Sequence, residues 1–252
     1  MTAQELAAAL NAELRLSAFS DVSHNGLQIN NRGAIQHITL AVDASLETLQ
    51  KAADTGAQMV IVHHGLSWGD SLARIDGLNY KLVAFAIEHN LALYAAHLPL
   101  DAHPTLGNNA GLVKAIGLQE VRPFLHYHGQ TIGFAGRLPE PLSRDAFVER
   151  VRAGVQPQRI ERFDFGKAII ETVGICSGGA PEGIDEAARE GLDCYLCGEA
   201  NLVAYNLAKG WGINAVFAGH YATERFGVKA LGQWIQAQFG LSTQFIDFDL
   251  PY

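Results

Sequence analysis

The sequence predicts an α/β fold built as two pseudo-duplicated halves around central, mostly parallel sheets, and three observations carry that prediction. First, apolar strand-like runs alternate with helical segments along most of the chain, as in βαβ units. Second, ITLAVDASLETLQKAADTGAQMVIVHH (38–64) resembles TVGICSGGAPEGIDEAAREGLDCYLCGE (172–199) at an offset of 135, with Ala52, Ala53 and Gly56 falling on Ala187, Ala188 and Gly191. Third, LALYAAHLPLD and INAVFAGHYATE match at an offset of 123, as from His97 to His220 and from Asp101 to Glu224. The two offsets describe one duplicated strand–helix–strand–helix–strand unit, with a shorter connection in the second copy. Two copies are too few, and each is too long, for a solenoid.

Each element follows from local pattern. TAQELAAALNAEL opens with Thr2 and Glu5 in capping-box spacing and carries Leu6, Leu10 and Leu14 as one apolar stripe, which predicts a docking helix. Asn25-Gly26 marks a turn, and His24 beside it reads as a loop residue. ITLAVD is a short strand, SLETLQKAADTG a helix stopped at Gly56, and QMVIVHH a continuous apolar run typical of a strand covered on both faces. GLSWGDSLARIDG is a loop, followed by a helix around NYKLVAFAIEHN with His89 at its solvated end. After LALYAAH, the prolines, glycine and asparagines of LPLDAHPTLGNNAGLVKAIG predict a loop leading into another helix. Residues 121–171 depart from the duplicated pattern and predict an inserted strand (TIGFAGRLPEP) and helix (SRDAFVERVRAG), with His126 and His128 in an unpatterned connector. TQFIDFDL is the expected closing strand. By function, the chain divides into a metal-binding region of 1–120 with 200–252 and a second α/β region of 121–199.

Composition bounds the function. At 252 residues, 48% of them hydrophobic, the chain can bury a substantial core. A formal charge of −8 without basic runs gives no footprint for phosphate backbones, so nucleic acid is not the expected partner. No apolar stretch reaches a membrane span and the N-terminus reads as a polar helix, so the expected location is the cytoplasm. Three cysteines fit a reducing compartment. Cys194 and Cys197 lie in the strand-like DCYLC, where positions i and i+3 face opposite sides, so they read as core thiols and not as a redox or zinc pair.

The chemistry gathers at strand ends. His63, His64, His97 and His220 all fall at the carboxyl ends of predicted strands, where open α/β sheets bind ligands. Adjacent strand residues point to opposite faces, so the doublet can serve one site only if the chain leaves extended geometry near Gly65. Asp101 and Glu224 are expected near the start of the following helices, with Thr223 placed to cap. Together these four histidines and two acids supply nitrogen and oxygen ligands enough for two divalent cations, and mixed imidazole and carboxylate donors suit zinc, iron, manganese or nickel. Glu199, aligned with the doublet in the second copy, is a candidate base beside the ligands.

The segments SHNGLQI, VIVHHG, HLPLDAHPTLGNNA, CGEAN and AGHYATERFGVKAL resemble the family of GTP cyclohydrolase I type 2 homologs, the Nif-like dinuclear metal hexameric proteins. The resemblance runs from about residue 19 to the end and is weakest between 121 and 171. It implies two intertwined α/β halves, a toroidal homohexamer and two metal ions in each subunit. By motif position it implies His63, His64, Asp101, His220 and Glu224 as ligands, with His97 either a ligand or a supporting group. The expected function is a metal-dependent hydrolase acting on a small, nucleotide-like substrate, with His97 and Glu199 moving protons. The alternatives are a non-catalytic metal-handling or regulatory protein and a ring-shaped partner in DNA repair. The acidic charge counts against the last.

Overall fold

A computed structural model describes residues 1–250. Its strands are β1 (Gly26–Ile29), β2 (His37–Asp43), β3 (Met59–His64), β4 (Ala92–Ala95), β5 (Gln119–Tyr127), β6 (Gln130–Ser143), β7 (Glu161–Asp164), β8 (Ile169–Ile175), β9 (Cys194–Cys197), β10 (Asn214–Phe217) and β11 (Ser242–Phe245). The helices are α1 (Ala3–Glu13), α2 (Leu46–Asp54), α3 (Gly77–Glu88), α4 (Leu98–Asp101), α5 (Asn108–Ile116), α6 (Arg144–Val155), α7 (Gly183–Arg189), α8 (Leu202–Trp211), α9 (His220–Thr223) and α10 (Arg225–Phe239).

Two compact units emerge, one of Met1–Leu100 with Gly227–Phe248 and one built on Asp101–Phe226. The chain leaves the first, builds the second and returns, which is the expected intertwining. These units are drawn by packing, whereas the division into 1–120 with 200–252 and 121–199 groups segments by function.

The first unit holds a five-stranded sheet in the order β1-β4-β3-β2-β11. Strands β11, β2, β3 and β4 run parallel, and β1 closes the edge antiparallel to β4. Met59 to His63 are all buried, as a central parallel strand requires. Around them Leu49, Ala52, Leu82, Ala86 and Leu93 form one core cluster. At the N-terminus the capping box is made: Thr2 N donates to Glu5 Oε2 at 2.8 Å and Glu5 N to Thr2 Oγ1 at 3.3 Å. Leu6, Leu10 and Leu14 are buried, so the docking helix is as expected.

The second unit holds a six-stranded sheet in the order β5-β6-β8-β9-β10-β7. Its centre, β8-β9-β10, is parallel, while β6 and β7 flank it antiparallel and β5 pairs antiparallel with β6. The parallel triplets β2-β3-β4 and β8-β9-β10 are the duplicated units. A hydrogen-bond device repeats with them. Gln58 Oε1 accepts Gln36 N and His37 N, both at 2.9 Å, and Asp193 Oδ2 accepts Glu171 N and Thr172 N at 3.0 and 3.1 Å. All three positions keep the 135-residue offset. Gly56 and Gly191, which follow α2 and α7, also match in backbone, with φ of 71° and 73°.

Four local expectations are corrected. LPLD is a helical turn, α4, because one turn after β4 lets Leu100 N donate to the His97 carbonyl at 2.8 Å. The closing strand stops at Phe245, where pairing with β2 ends at Leu40. His126 lies in β5, not in a connector, and its Nδ1 is 2.9 Å from Glu186 Oε1. Thr223 does not cap α10: its hydroxyl accepts from Gly178 N at 3.0 Å and donates back to the Gly219 and His220 carbonyls. Cys194 and Cys197 are fully buried, and burial pushes both thiols above their ordinary range, as core thiols require.

Candidate metal centre

In the first unit, His63, His64 and His97 converge. The strand β3 continues through His64, so the expectation that the chain must leave extended geometry for the doublet is not met. These are its last two residues, and the rings swing past the sheet end, 4.7 Å apart between centroids. His97, immediately after β4, lies 5.0 Å from His63 and 5.6 Å from His64. One potential ligand atom from each of the three lies within 4.8 Å of the others.

Each ring is anchored by Nδ1 to an oxygen. His63 Nδ1 donates to the Ala96 carbonyl at 2.8 Å, His64 Nδ1 faces Asp43 Oδ1 at 2.8 Å, and His97 Nδ1 faces Asp21 Oδ1 and Oδ2 at 3.0 and 3.1 Å. A carbonyl only accepts, so His63 carries its proton on Nδ1, and an ionised carboxylate imposes the same tautomer on the other two. A neutral ring in that tautomer presents its lone pair at Nε2, the atom that coordinates a metal.

Asp21 works hardest. Besides His97 it accepts Ser23 N, Asn25 Nδ2 and Leu98 N. Burial would raise its pKa, but the His97 contact, the Asn25 amide and the Ser23 N–H bring it down to about 2. Asn25 Oδ1 takes the His97 backbone N–H at 2.6 Å. Trp68 closes the cluster, its ring 4.8 Å from His97 and 5.7 Å from His64.

In the second unit, carboxylates dominate. Asp101 and Glu224, 5% and 2% exposed, offer oxygens within 4.8 Å of each other. Asp101 Oδ1 accepts from Asn108 Nδ2 and Ser177 Oγ, both at 2.9 Å. Asp101 lies in the single turn α4 that follows β4, near the start of a helix as expected, and the longer helix α5 starts at Asn108. Glu224 fits expectation, directly preceding α10. His220 opens the single turn α9 and Glu224 follows its end, so an i,i+4 pair sets His220 Nε2 3.2 Å from Glu224 Oε1. On the other side of the ring, His220 Nδ1 is 2.6 Å from Glu199 Oε1, which puts Glu199 beside His220. Burial would lower the His220 pKa, but Glu224 and Glu199 raise it to about 9.

Backbone shape completes this half. Gly178 has φ of +64°, and a Cβ there would collide with Glu224 Oε1 and reach His220 Nε2. Only glycine leaves the carboxylate its room.

Both halves suit a divalent cation. One supplies imidazoles locked in the coordinating tautomer; the other sets Glu224 and Glu199 against the His220 imidazole and Asp101 beside Glu224, a charge balance a cation would correct. His24 is no part of either set: its Nδ1 is 2.6 Å from Ser67 Oγ. Sequence reasoning missed Asp21, Asp43, Ser177 and Gly178.

Among curated relatives, a protein of Deinococcus radiodurans named GTP cyclohydrolase 1 type 2 homolog is 44% identical over 97% of this chain and 92% of its own. One of the same name from Pyrococcus horikoshii is 38% identical over 98% of both. Among solved structures, protein ybgI, described as of unknown function, superposes with a TM-score of 0.94 at 34% identity, covering both chains fully. A protein from Thermus thermophilus follows with a TM-score of 0.90 at 31% identity, again over the whole of both chains. The family model for Duf34/NIF3 (NGG1p interacting factor 3) matches residues 1–250, and the chain belongs to that family.

Proposed function

We propose that this chain is a dinuclear metal-dependent hydrolase in which His63, His64, Asp101, His220 and Glu224 hold two divalent cations per subunit. His97 stands with His63 and His64 as a further ligand or proton carrier. The observation that carries this reading is the common anchoring of His63, His64 and His97 through Nδ1. Proteins fix neutral imidazole ligands in this way. Zinc, iron, manganese and nickel all suit the donors.

Bound cations would polarise a substrate oxygen and acidify water. The chain's own groups do the rest. Asp101 and Glu224 would supply the carboxylate ligands that help hold the cations. Glu199, with 52% of its side chain exposed and its Oε1 on His220 Nδ1, orients that ring and passes a proton to solvent. Trp68 shields His97 and His64 from bulk water. The nucleotide-like substrate rests on the name of the relatives, GTP cyclohydrolase 1 type 2 homolog. A homohexameric ring and a cytoplasmic location belong to the same reading. Among the described residues no helix is long and apolar enough to cross a membrane.

The test is a metal-reconstituted screen against nucleotides and phosphoesters, with Glu224→Ala alongside. Turnover and bound metal should fall together in the variant while circular dichroism stays unchanged. Metal without turnover on any substrate would favour the metal-handling alternative, and full metal content in Glu224→Ala would remove its role as a ligand.

A further inference from the structure

Behind His97, wholly within the first unit, lies a cavity of about 510 Å³. That is within the range of small-molecule sites, roughly 300–1,000 Å³. Asn11, Ser17 and Ser23 give it polar edges, and Leu16 and Phe19 an apolar wall. Ser23 is only 4% exposed, and its Oγ has no hydrogen-bond partner among the described residues. A buried hydroxyl left in that state is costly and is usually satisfied by something else. Asn11 Oδ1 accepts from Tyr94 Oη at 3.0 Å, which orients the amide so that its NH₂ is the edge left to donate.

The charge of the lining narrows the occupant. Among the described residues no lysine or arginine lines this cavity, and the one ionised group in its wall is Asp21, already engaged by His97, Ser23, Asn25 and Leu98. A phosphate or carboxylate would meet no counter-charge here. An aromatic ring and a leucine side chain suit a flat face, and the hydroxyls and amide suit a hydrogen-bonding edge.

We propose that this cavity binds an uncharged planar heterocycle of the nucleoside class, stacked on Phe19 and read at its edge by Ser23 and Asn11. It is a site separate from the metal centre and does not depend on the hydrolase reading. It is nevertheless joined to it: Asp21 and Asn25, which line the cavity, are the residues that hold the His97 ring and backbone N–H.

Equilibrium dialysis of the full-length protein against guanosine and adenosine tests this. Saturable binding of at least one nucleoside is expected. Phe19→Ala should weaken it roughly tenfold through lost stacking. Ser23→Ala should weaken it by up to about tenfold through the lost hydrogen bond. Both variants should keep wild-type circular dichroism and metal content, and Glu224→Ala should bind the nucleoside like the parent. Absence of saturable binding at millimolar nucleoside would overturn the proposal. So would binding that survives both cavity substitutions and disappears in Glu224→Ala, since the nucleoside would then belong to the metal centre.

Discussion

At the residue scale, the oxygens behind the histidines matter as much as the imidazoles. Asp43 ends β2 opposite His64 in the parallel register and fixes the tautomer of that ring. Loss of such a partner typically weakens a metal site by about 10- to 100-fold. Asp43→Ala is therefore expected to lower zinc affinity by that order in a chelator competition, with the far-ultraviolet circular dichroism unchanged. Wild-type affinity would show that the carboxylate does no more than decorate the strand end. The histidines were legible in the sequence because each closes an apolar run. Asp21 and Asp43 were not, because the rings they hold lie 76 and 21 residues away along the chain. The duplication held one unused hint: at the offset of 135, Asp43 falls on Gly178 just as His64 falls on Glu199. The strand end that supplies a carboxylate in one copy supplies empty space in the other.

At the element scale, the two copies share a backbone device with different chemistry. Gln58 and Asp193 each receive two consecutive backbone N–H groups of a neighbouring strand, one through an amide and one through a carboxylate. Burial would raise the Asp193 pKa, but Lys167, the Glu171 and Thr172 N–H groups and the Thr172 hydroxyl hold it below its ordinary 3.8. A carboxylate depressed in the folded state adds stability above its unfolded value, and that stability is lost as pH falls through the folded value. The exposed Lys167 partner contributes little after solvent screening. Asp193→Asn should thus cost about 1 kcal/mol at neutral pH in chemical denaturation, and the cost should shrink as pH falls below the ordinary carboxylate range. A cost independent of pH would contradict the assignment.

Gly178 sets the second element-level constraint. A left-handed backbone and a Cβ driven into Glu224 Oε1 make Gly178→Ala doubly unfavourable. The expected result is a loss of about 1–3 kcal/mol in stability together with reduced metal content. Full metal occupancy in that variant would mean that Glu224 is not needed where it stands. The helical turns α4 and α9 were the least legible elements. Each is four residues long, and Pro99 with its neighbours gave the first the look of a loop. For the second of them the spacing in sequence does carry the histidine and the acid to the same side, His220 meeting Glu224 across one turn.

At the scale of the whole molecule, duplication and fold class were readable because helix and strand alternate and the offsets hold over many residues. The inserted layer was only partly so. β5 and β6 pair as a long antiparallel hairpin whose exposed positions, such as Val121 and Tyr127, blur the period-two pattern. The discontinuous first unit, which reclaims the chain at Gly227, leaves no mark in composition at all. The proposed ring is tested by light scattering of the purified protein, which should give about six times the 27.2 kDa chain mass; a monomer would contradict it.

The central claim is that His63, His64, Asp101, His220 and Glu224 hold a pair of cations in each subunit. Anomalous diffraction from crystals of the zinc-reconstituted protein tests it most directly. Two peaks per chain, coordinated between them by His63, His64, Asp101, His220 and Glu224, are the predicted result. No peak, or peaks held by other residues, would contradict it.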